Sequence, residues 1–224
     1  MLRIILWKIG FEWAHLRRVL WPSEDKKIWY FAFGANLSPD IMTLRRIRVY
    51  DAFDHVLDRA TLRFSLAGFY RGHGYASADA DDSDVVYGRM YLILERDARR
   101  MDYFEGVPYL GVHDRIFRHH DGREFYYYRA VVAQTGLKPT REYLDYLLTA
   151  YREMAAVPQD YIDTLAATEV LEEMLPPDQT GDFVRNAERW PTVLQPLLVF
   201  YEGCCQRLVE FLWNRSLIHW MIRH

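Results

Sequence analysis

The chain has 224 residues and a formal net charge of −3, from 28 Lys and Arg against 31 Asp and Glu. Half of the residues are apolar, so a sizeable core can form, and the balanced charge excludes a generally basic nucleic-acid coat protein. Two Cys cannot build a disulfide scaffold or a four-cysteine zinc site, and the unusual figure is 16% aromatic, which divides along the chain into two populations.

The ends are rich in Trp: Trp7, Trp13, Trp21, Trp213 and Trp220 are five of the seven in the chain. In residues 1–22, Ile5, Ile9, Trp13, Leu16 and Leu20 recur at helical spacing, with Arg3, Lys8, Arg17 and Arg18 as cations and Glu12 as the anion. Pro22 stops this amphipathic helix. Its apolar runs are too short for a spanning helix, and it has neither the unbroken apolar core nor the cleavage site of a signal peptide. Residues 197–224 have the same character, with Phe200, Leu208, Phe211, Leu212, Leu217, Trp220 and Met221. Trp with apolar residues and flanking cations suits three readings: packing on the central domain, peripheral docking on a membrane, or a protein partner. Adjacent Cys204 and Cys205 read as two buried thiols, since a vicinal disulfide is strained. The expected organisation is a helical extension over residues 1–26, a domain over 27–176, and a linker with a second aromatic helical extension over 177–224.

Within the domain, residues 28–33 (IWYFAF) read as a buried strand. The strand runs into Gly34-Ala35-Asn36-Leu37, then Ser38 as a helix N-cap with Pro39 at the first helical position. A strand, tight loop and helix start can aim several backbone N–H groups at one point, as an anion or oxyanion cradle. Residues 60–66 predict a strand, the acidic run Asp79, Asp81, Asp82 and Asp84 a solvated turn, and residues 85–94 a further strand. A short polar helix over 95–103 delivers Phe104-Glu105-Gly106-Val107-Pro108. The apolar flanks of Glu105 pull that turn inward, and a carboxylate in an apolar pocket has a raised pKa suited to general acid/base work. Asp121-Gly122 marks a hairpin between strands at 117–120 and 124–133. Helices follow over 140–155 and 159–174, ended by Pro176 and Pro177. His119-His120 and the acidic run lack metal-ligand spacing, and Tyr126-Tyr127-Tyr128-Arg129 lacks the basic stripe of a nucleic-acid site. No metal, cofactor or nucleic acid is therefore expected.

At Tyr30-Phe31-Ala32-Phe33-Gly34-Ala35-Asn36-Leu37 and at Met101-Asp102-Tyr103-Phe104-Glu105-Gly106-Val107-Pro108, the chain resembles the γ-glutamylcyclotransferase-like family. That family carries a Tyr-Gly-Ser-Asn-Leu type loop after its first strand and a Glu-Gly-Val turn downstream, with a strand like residues 85–91 between. The resemblance covers about residues 28–175. It implies an α+β fold, a small, mostly antiparallel β-barrel flanked by helices, here with added N- and C-terminal amphipathic helices. It also implies release of 5-oxoproline from a γ-glutamyl amine or peptide in the cytoplasm. Glu105 is then the general acid/base, and residues 30–37 hold the γ-glutamyl group.

Such chemistry needs little from the protein. The substrate's own α-amine attacks its γ-carbonyl, so one carboxylate that takes and returns a proton, donors for the oxyanion and an oriented substrate suffice. Three positions depart from the family pattern. Phe33 stands where Tyr is frequent, Ala35 where Ser is common, and His113 where a Tyr precedes an Arg. His113, Tyr128 and Tyr143 are the candidate polar contacts that remain. The competing reading is a catalytically weak cyclotransferase-like domain serving as a scaffold, docked through residues 1–22 and 197–224.

Overall fold

The computed structural model describes residues 26–68, 71–107 and 112–173, together with Trp13. The expectations for the two end helices, the Cys pair and the linker lie outside the described residues.

Strand β1 (Lys27–Ala32) is the centre of the domain. It lies in a five-stranded sheet of order β2-β3-β1-β5-β4, with β2 at Val49–Ala67, β3 at Gly74–Leu94, β4 at His113–His120 and β5 at Arg123–Ala130. β1 pairs antiparallel with β3 and parallel with β5, while β2–β3 and β4–β5 are antiparallel. The sheet is thus mixed, and no pairing joins β2 to β4. Three of the four pairings are antiparallel, but the expected small β-barrel is not closed among the described residues. The parallel β1–β5 contact splits two antiparallel halves, and the outer strands stay open.

Side chains alternate across the sheet, so one strand feeds two cores. Phe31 and Phe33 on one side join Val86, Met90, Phe125 and Tyr127. Tyr30 and Ala32 on the other join Tyr91, Ile93, Tyr126 and Tyr128. The first face is covered by α3 (Arg141–Arg152) and α4 (Gln159–Ala166), through Leu144, Leu147, Leu148, Tyr151, Ile162 and Leu165. The second is covered by α1 (Pro39–Leu44) and α2 (Glu95–Phe104), through Met42, Ala98 and Met101. Burial on both faces explains why residues 28–33 read as an unbroken apolar run.

The Ser38-Pro39 capping signal acts as expected, and Thr140, read as the first residue of its helix, is instead that helix's N-cap. The Ser38 side chain accepts from the Asp40 amide with Pro39 at the first helical position, and Thr140 accepts from the Tyr143 amide. Asp121 and Gly122 both have positive φ, 48° and 72°, and so close the β4–β5 hairpin in a primed turn.

Several segments differ from expectation, among them the strand read at 117–120, which begins at His113. The strand read at 60–66 begins at Val49: its first half, on the outermost strand of the sheet, faces water and carries Asp51, Asp54, His55 and Asp58, which hides it from a hydrophobic pattern. The acidic run lies inside β3, not in a connecting turn. The register steps there from Asp58↔Val85 to Ala60↔Ala80, so residues 81–84 form a bulge opposite Arg59, which has φ 56°. Asp81 accepts from the Ser83 amide and hydroxyl, a turn-like device within the strand. The helix expected to reach residue 174 ends at Ala166, and the chain then turns so that the Leu171 amide bonds the Pro139 carbonyl. No helix among the described residues is long and apolar enough to cross a membrane.

Gly88 lies in β3 where β1 leaves no room for a side chain. A Cβ there would collide with the Ala32 carbonyl and the Phe31 ring. Gly88→Ala is expected to cost about 1–3 kcal/mol by forcing the central strands apart. Urea unfolding checks this, with Gly122→Ala, where a Cβ meets no neighbour, separating backbone strain from collision.

Candidate functional site

After β1 the backbone passes through Gly34 into a single 3₁₀ turn at Ala35–Leu37. A Cβ at Gly34 would lie 3.4 Å from the Tyr143 hydroxyl, so the loop sits tight against α3. Three Tyr hydroxyls clamp alternate carbonyls of this loop. Tyr151 donates to Phe33 O at 2.8 Å, Tyr146 to Ala35 O at 2.9 Å, and Tyr91 to Leu37 O at 2.7 Å. Anchored from α3 on one side and β3 on the other, the loop is held in one conformation, the condition for preorganised stabilisation of a developing charge.

Glu105 follows the last residue of α2. Gly106, with φ 71°, takes the left-handed cap position, and the Val107 amide bonds back to Asp102 O at 2.8 Å. This cap turns the Glu105 side chain toward the loop. Its Oε1 accepts from Asn36 Nδ2 at 3.1 Å and from Arg45 Nη1 at 2.6 Å, and its side chain is 14% exposed. Asn36 Nδ2 also donates to the Tyr30 hydroxyl at 2.7 Å. His113 Nδ1 lies 2.8 Å from the Glu105 carbonyl, which can only accept, so that nitrogen carries the proton; Glu105 Oε2 is 3.5 Å away.

The protonation of Glu105 differs from the sequence expectation. Burial pushes its pKa up, as an apolar pocket should. The Arg45 charge, then His113 and the hydrogen bonds from Arg45 and Asn36, outweigh burial and hold it below the ordinary glutamate value. The expected raised pKa is therefore overturned by a cation that the pattern around residue 105 does not announce. Burial, with the Glu105 charge second, keeps the Tyr30 hydroxyl protonated, its pKa well above the usual tyrosine value.

Arg45 is fixed as firmly as Glu105. It is the C-cap residue of α1, its carbonyl accepts from Arg100 Nε at 2.8 Å, and its guanidinium lies 4.8 Å from the Phe104 ring centroid. Beside it, Asp102 takes a two-pronged pair from Arg115, Nε to Oδ1 at 2.6 Å and Nη2 to Oδ2 at 2.8 Å. This pair ties β4 to α2 and sets His113 against Glu105.

Tyr30, Asn36, His113 and Glu105 thus meet at one point, with Gly34, Ala35 and Leu37 supplying the clamped backbone. Phe31 and Phe33 point into the core under α3, and Ala32 into the core beneath α1 and α2. Tyr128 gives its hydroxyl to Asp102 at 2.8 Å, and Tyr143 accepts from the Ala76 amide at 3.3 Å. Sequence reasoning missed Arg45, the Asp102–Arg115 pair and the clamps Tyr91, Tyr146 and Tyr151. The only hint of Arg45 was its place in the basic run Arg45-Arg46-Ile47-Arg48, just after a short helix. An open cavity of about 650 Å³ between α1 and strands β2 and β3 is lined by Met42, Phe53, Asp54, Arg89 and Tyr91 among others. Glu105 is not part of that lining. Among the described residues, no group of three or more His, Cys, Asp or Glu side chains converges to hold a metal ion.

Replacing Arg45 by Met is expected to raise the Glu105 pKa and to cost about 1–3 kcal/mol at neutral pH, the pair being only partly exposed to water. In the native protein the folded pKa lies below the ordinary value of 4.5, so the pair's contribution is full above that value and is lost as pH falls through the folded pKa. Urea unfolding of both proteins across this range checks it. The stability gap should narrow toward acid, and a gap independent of pH would assign the loss to packing over Phe104 instead.

No family model matches the sequence, and no curated protein does so either. Solved structures do. One titled gamma-glutamyl cyclotransferase is 19% identical, with 77% of this chain and 98% of that chain covered and a TM-score of 0.54. The uncharacterized protein loc79017 from Homo sapiens is also 19% identical, with 78% and 99% covered and a TM-score of 0.55. YkqA from Bacillus subtilis is 15% identical, with 70% and 60% covered and a TM-score of 0.55. At these identities the likeness is one of fold. The chain has a γ-glutamylcyclotransferase-like fold, built on a mixed five-stranded sheet with helices on both faces.

Proposed function

We propose that the chain is a γ-glutamylcyclotransferase-type enzyme that releases 5-oxoproline from a γ-glutamyl amine or peptide. The observation that carries this reading is the Glu105 carboxylate facing Asn36 of the clamped loop at 3.1 Å, two groups 69 residues apart in the chain. The fold it shares with a structure titled gamma-glutamyl cyclotransferase supports the same reading.

The reaction follows from the groups present. The α-ammonium of the γ-glutamyl unit gives a proton to Glu105, which is ionised at neutral pH. The freed amine attacks the γ-carbonyl carbon, closing a five-membered ring. The oxyanion collapses as Glu105 returns its proton to the leaving nitrogen, and the bond to that nitrogen breaks. The ring nitrogen, cationic with two hydrogens after the attack, then gives one of them through Glu105 to the departing amine, leaving a neutral lactam and an ammonium. No protein nucleophile enters, because the nucleophile belongs to the substrate. His113, hydrogen-bonded to the Glu105 backbone, keeps the carboxylate aimed at the loop. The loop's fixed backbone orients the chain for ring closure, where most of the rate advantage of an intramolecular reaction lies.

Glu105→Gln keeps the size and hydrogen-bonding shape of the side chain and removes its proton transfer. It is expected to lower 5-oxoproline release by at least about 100-fold while the protein stays folded. Chromatographic measurement of 5-oxoproline from a panel of γ-glutamyl amines and peptides, with circular dichroism on the variant, checks this. Folded wild-type protein that forms no 5-oxoproline from any member of the panel overturns the enzymatic reading.

A further inference from the structure

On the face of the sheet opposite Tyr30, three aromatic rings gather where the chain enters the domain. Trp29 on β1 and Phe53 on β2 meet edge to face, their centroids 5.1 Å apart, and both are partly buried against the core beneath α3 and α4. Tyr50 is the third. The register steps from Val49↔Ile93 to Asp51↔Leu92, so Tyr50 is the extra residue of a β-bulge on an outer strand, and it is 37% exposed. Three exposed cations lie over these rings. Lys27 Nζ is 4.4 Å and the Arg48 guanidinium 4.9 Å from the Tyr50 centroid, and the Arg123 guanidinium is 5.8 Å from both Trp29 and Phe53. None of the three cations takes part in an ion pair among the described residues. The neighbouring acids are engaged elsewhere: Asp51 Oδ1 accepts from the Ala52 amide at 2.9 Å, and Glu124 Oε1 faces His119 Nε2 at 3.6 Å.

This surface stands where the N-terminal segment joins the domain. Lys27 is the first residue of β1, so residues 1–22 are tied to it through Ser23-Glu24-Asp25-Lys26, a link that spans at most about 18 Å. Residues 1–27 hold six Lys and Arg against three Asp and Glu, a surplus of three cations in a chain whose net charge is −3. Trp7, Trp13 and Trp21 fall in the same stretch, and Trp13, the described residue among the first 22, is 57% exposed. Trp, Tyr, Lys and Arg share an apolar body with a polar or charged tip. Gathered with a surplus of positive charge, they fit a boundary that is apolar within and anionic at its rim. No helix among the described residues is long and apolar enough to cross such a boundary, so the contact they fit is a peripheral one.

We propose that the surface formed by Lys27, Arg48, Tyr50 and Arg123, together with residues 1–22, docks the protein on an anionic phospholipid bilayer. The three cations meet the headgroup phosphates, while Tyr50 and Trp13 enter the boundary between headgroups and acyl chains. The rings beneath the cations hold them in place by cation–π attraction, so less side-chain freedom is lost on docking. Each half is a weak anchor by itself. Attachment becomes stable when two such signals act together, because the short link keeps the second at high effective concentration once the first is bound. Nucleic acid fits this surface less well, since the ring faces on which bases would stack are already taken by Lys27, Arg48 and Arg123. The docking does not depend on the chemistry at Glu105, whose neighbour Tyr30 belongs to the core on the other face of the sheet.

Co-sedimentation of the full chain with lipid vesicles tests this. Vesicles of phosphatidylcholine containing about a third phosphatidylglycerol should bind the protein at least about 10-fold more strongly than phosphatidylcholine alone, and the difference should shrink as salt is raised. Combined Lys27→Gln, Arg48→Gln and Arg123→Gln should weaken binding to the anionic vesicles by about 100-fold, from about 5-fold for each cation. Trp13→Ser should weaken it by about 10-fold in the presence of all three cations. Removing three exposed cations elsewhere, Arg63 in the second half of β2 and Arg141 and Arg152 on α3, each replaced by Gln, should leave binding within about 3-fold of wild type. Circular dichroism confirms that each variant is folded. Equal binding to neutral and anionic vesicles overturns the proposal, as does binding to neither. An equal loss from the two triple variants also overturns it, by assigning the effect to total charge. Capture of a single-stranded oligonucleotide with no capture of vesicles overturns it in favour of nucleic acid. If the first triple variant fails to fold, the single substitution Arg123→Gln, the lipid selectivity of wild type and its salt dependence decide the matter.

Discussion

Burial of β1 on both faces is the constraint from which the rest follows. A strand paired on both edges and covered by helices on both sides has little freedom in position, so whatever follows it is placed with the same precision. The Gly34–Leu37 loop inherits that placement, and three tyrosines tighten it. Each clamp satisfies a carbonyl that would otherwise be left without a donor at the end of a buried strand. Three of the 16 tyrosines thus serve backbone satisfaction around one loop.

The second organising feature is the charge balance at Glu105. A carboxylate at the C-terminal end of a helix, mostly out of water, is opposed by the helix dipole as well as by desolvation. Arg45 offsets both, and it is held by groups drawn from the same helix: Arg100 bonds its carbonyl and Phe104 lies under its guanidinium. Helix α2 therefore delivers Glu105 at its end and also positions the counter-ion Arg45. The Asp102–Arg115 pair on the next turn brings β4 in, so His113 arrives at Glu105 as a consequence of the hairpin register.

Some of this was legible before any coordinates. The Ser38-Pro39 start of α1 and the Asp121-Gly122 turn are local devices, each governed by a few consecutive residues, and each lies where the pattern puts it. The loop and Glu105, chosen by motif, do face each other. What was not legible depends on distant partners. The first half of β2 is polar because it lies at the sheet's outer edge, and the acidic run continues a strand because β2 supplies the pairing across a bulge. Helix α4 stops early because residue 171 has a partner at Pro139. Tyr128 and Tyr143 read as equally good contacts to a ligand, yet one serves Asp102 and the other a backbone amide.

The sequence by itself determined the central strand, the loop that follows it, the helix that ends at Glu105 and the hairpin, since their causes lie within a few residues of their effects. Only the tertiary structure decided the ionisation of Glu105. The pattern around residue 105 showed apolar neighbours and implied a raised pKa, whereas the group that reverses the sign is Arg45, 60 residues away in the chain and 2.6 Å away in space. Desolvation can be read from neighbours in sequence, but a counter-charge depends on position in three dimensions, and that position exists only once α1 and α2 pack against the same face of the sheet.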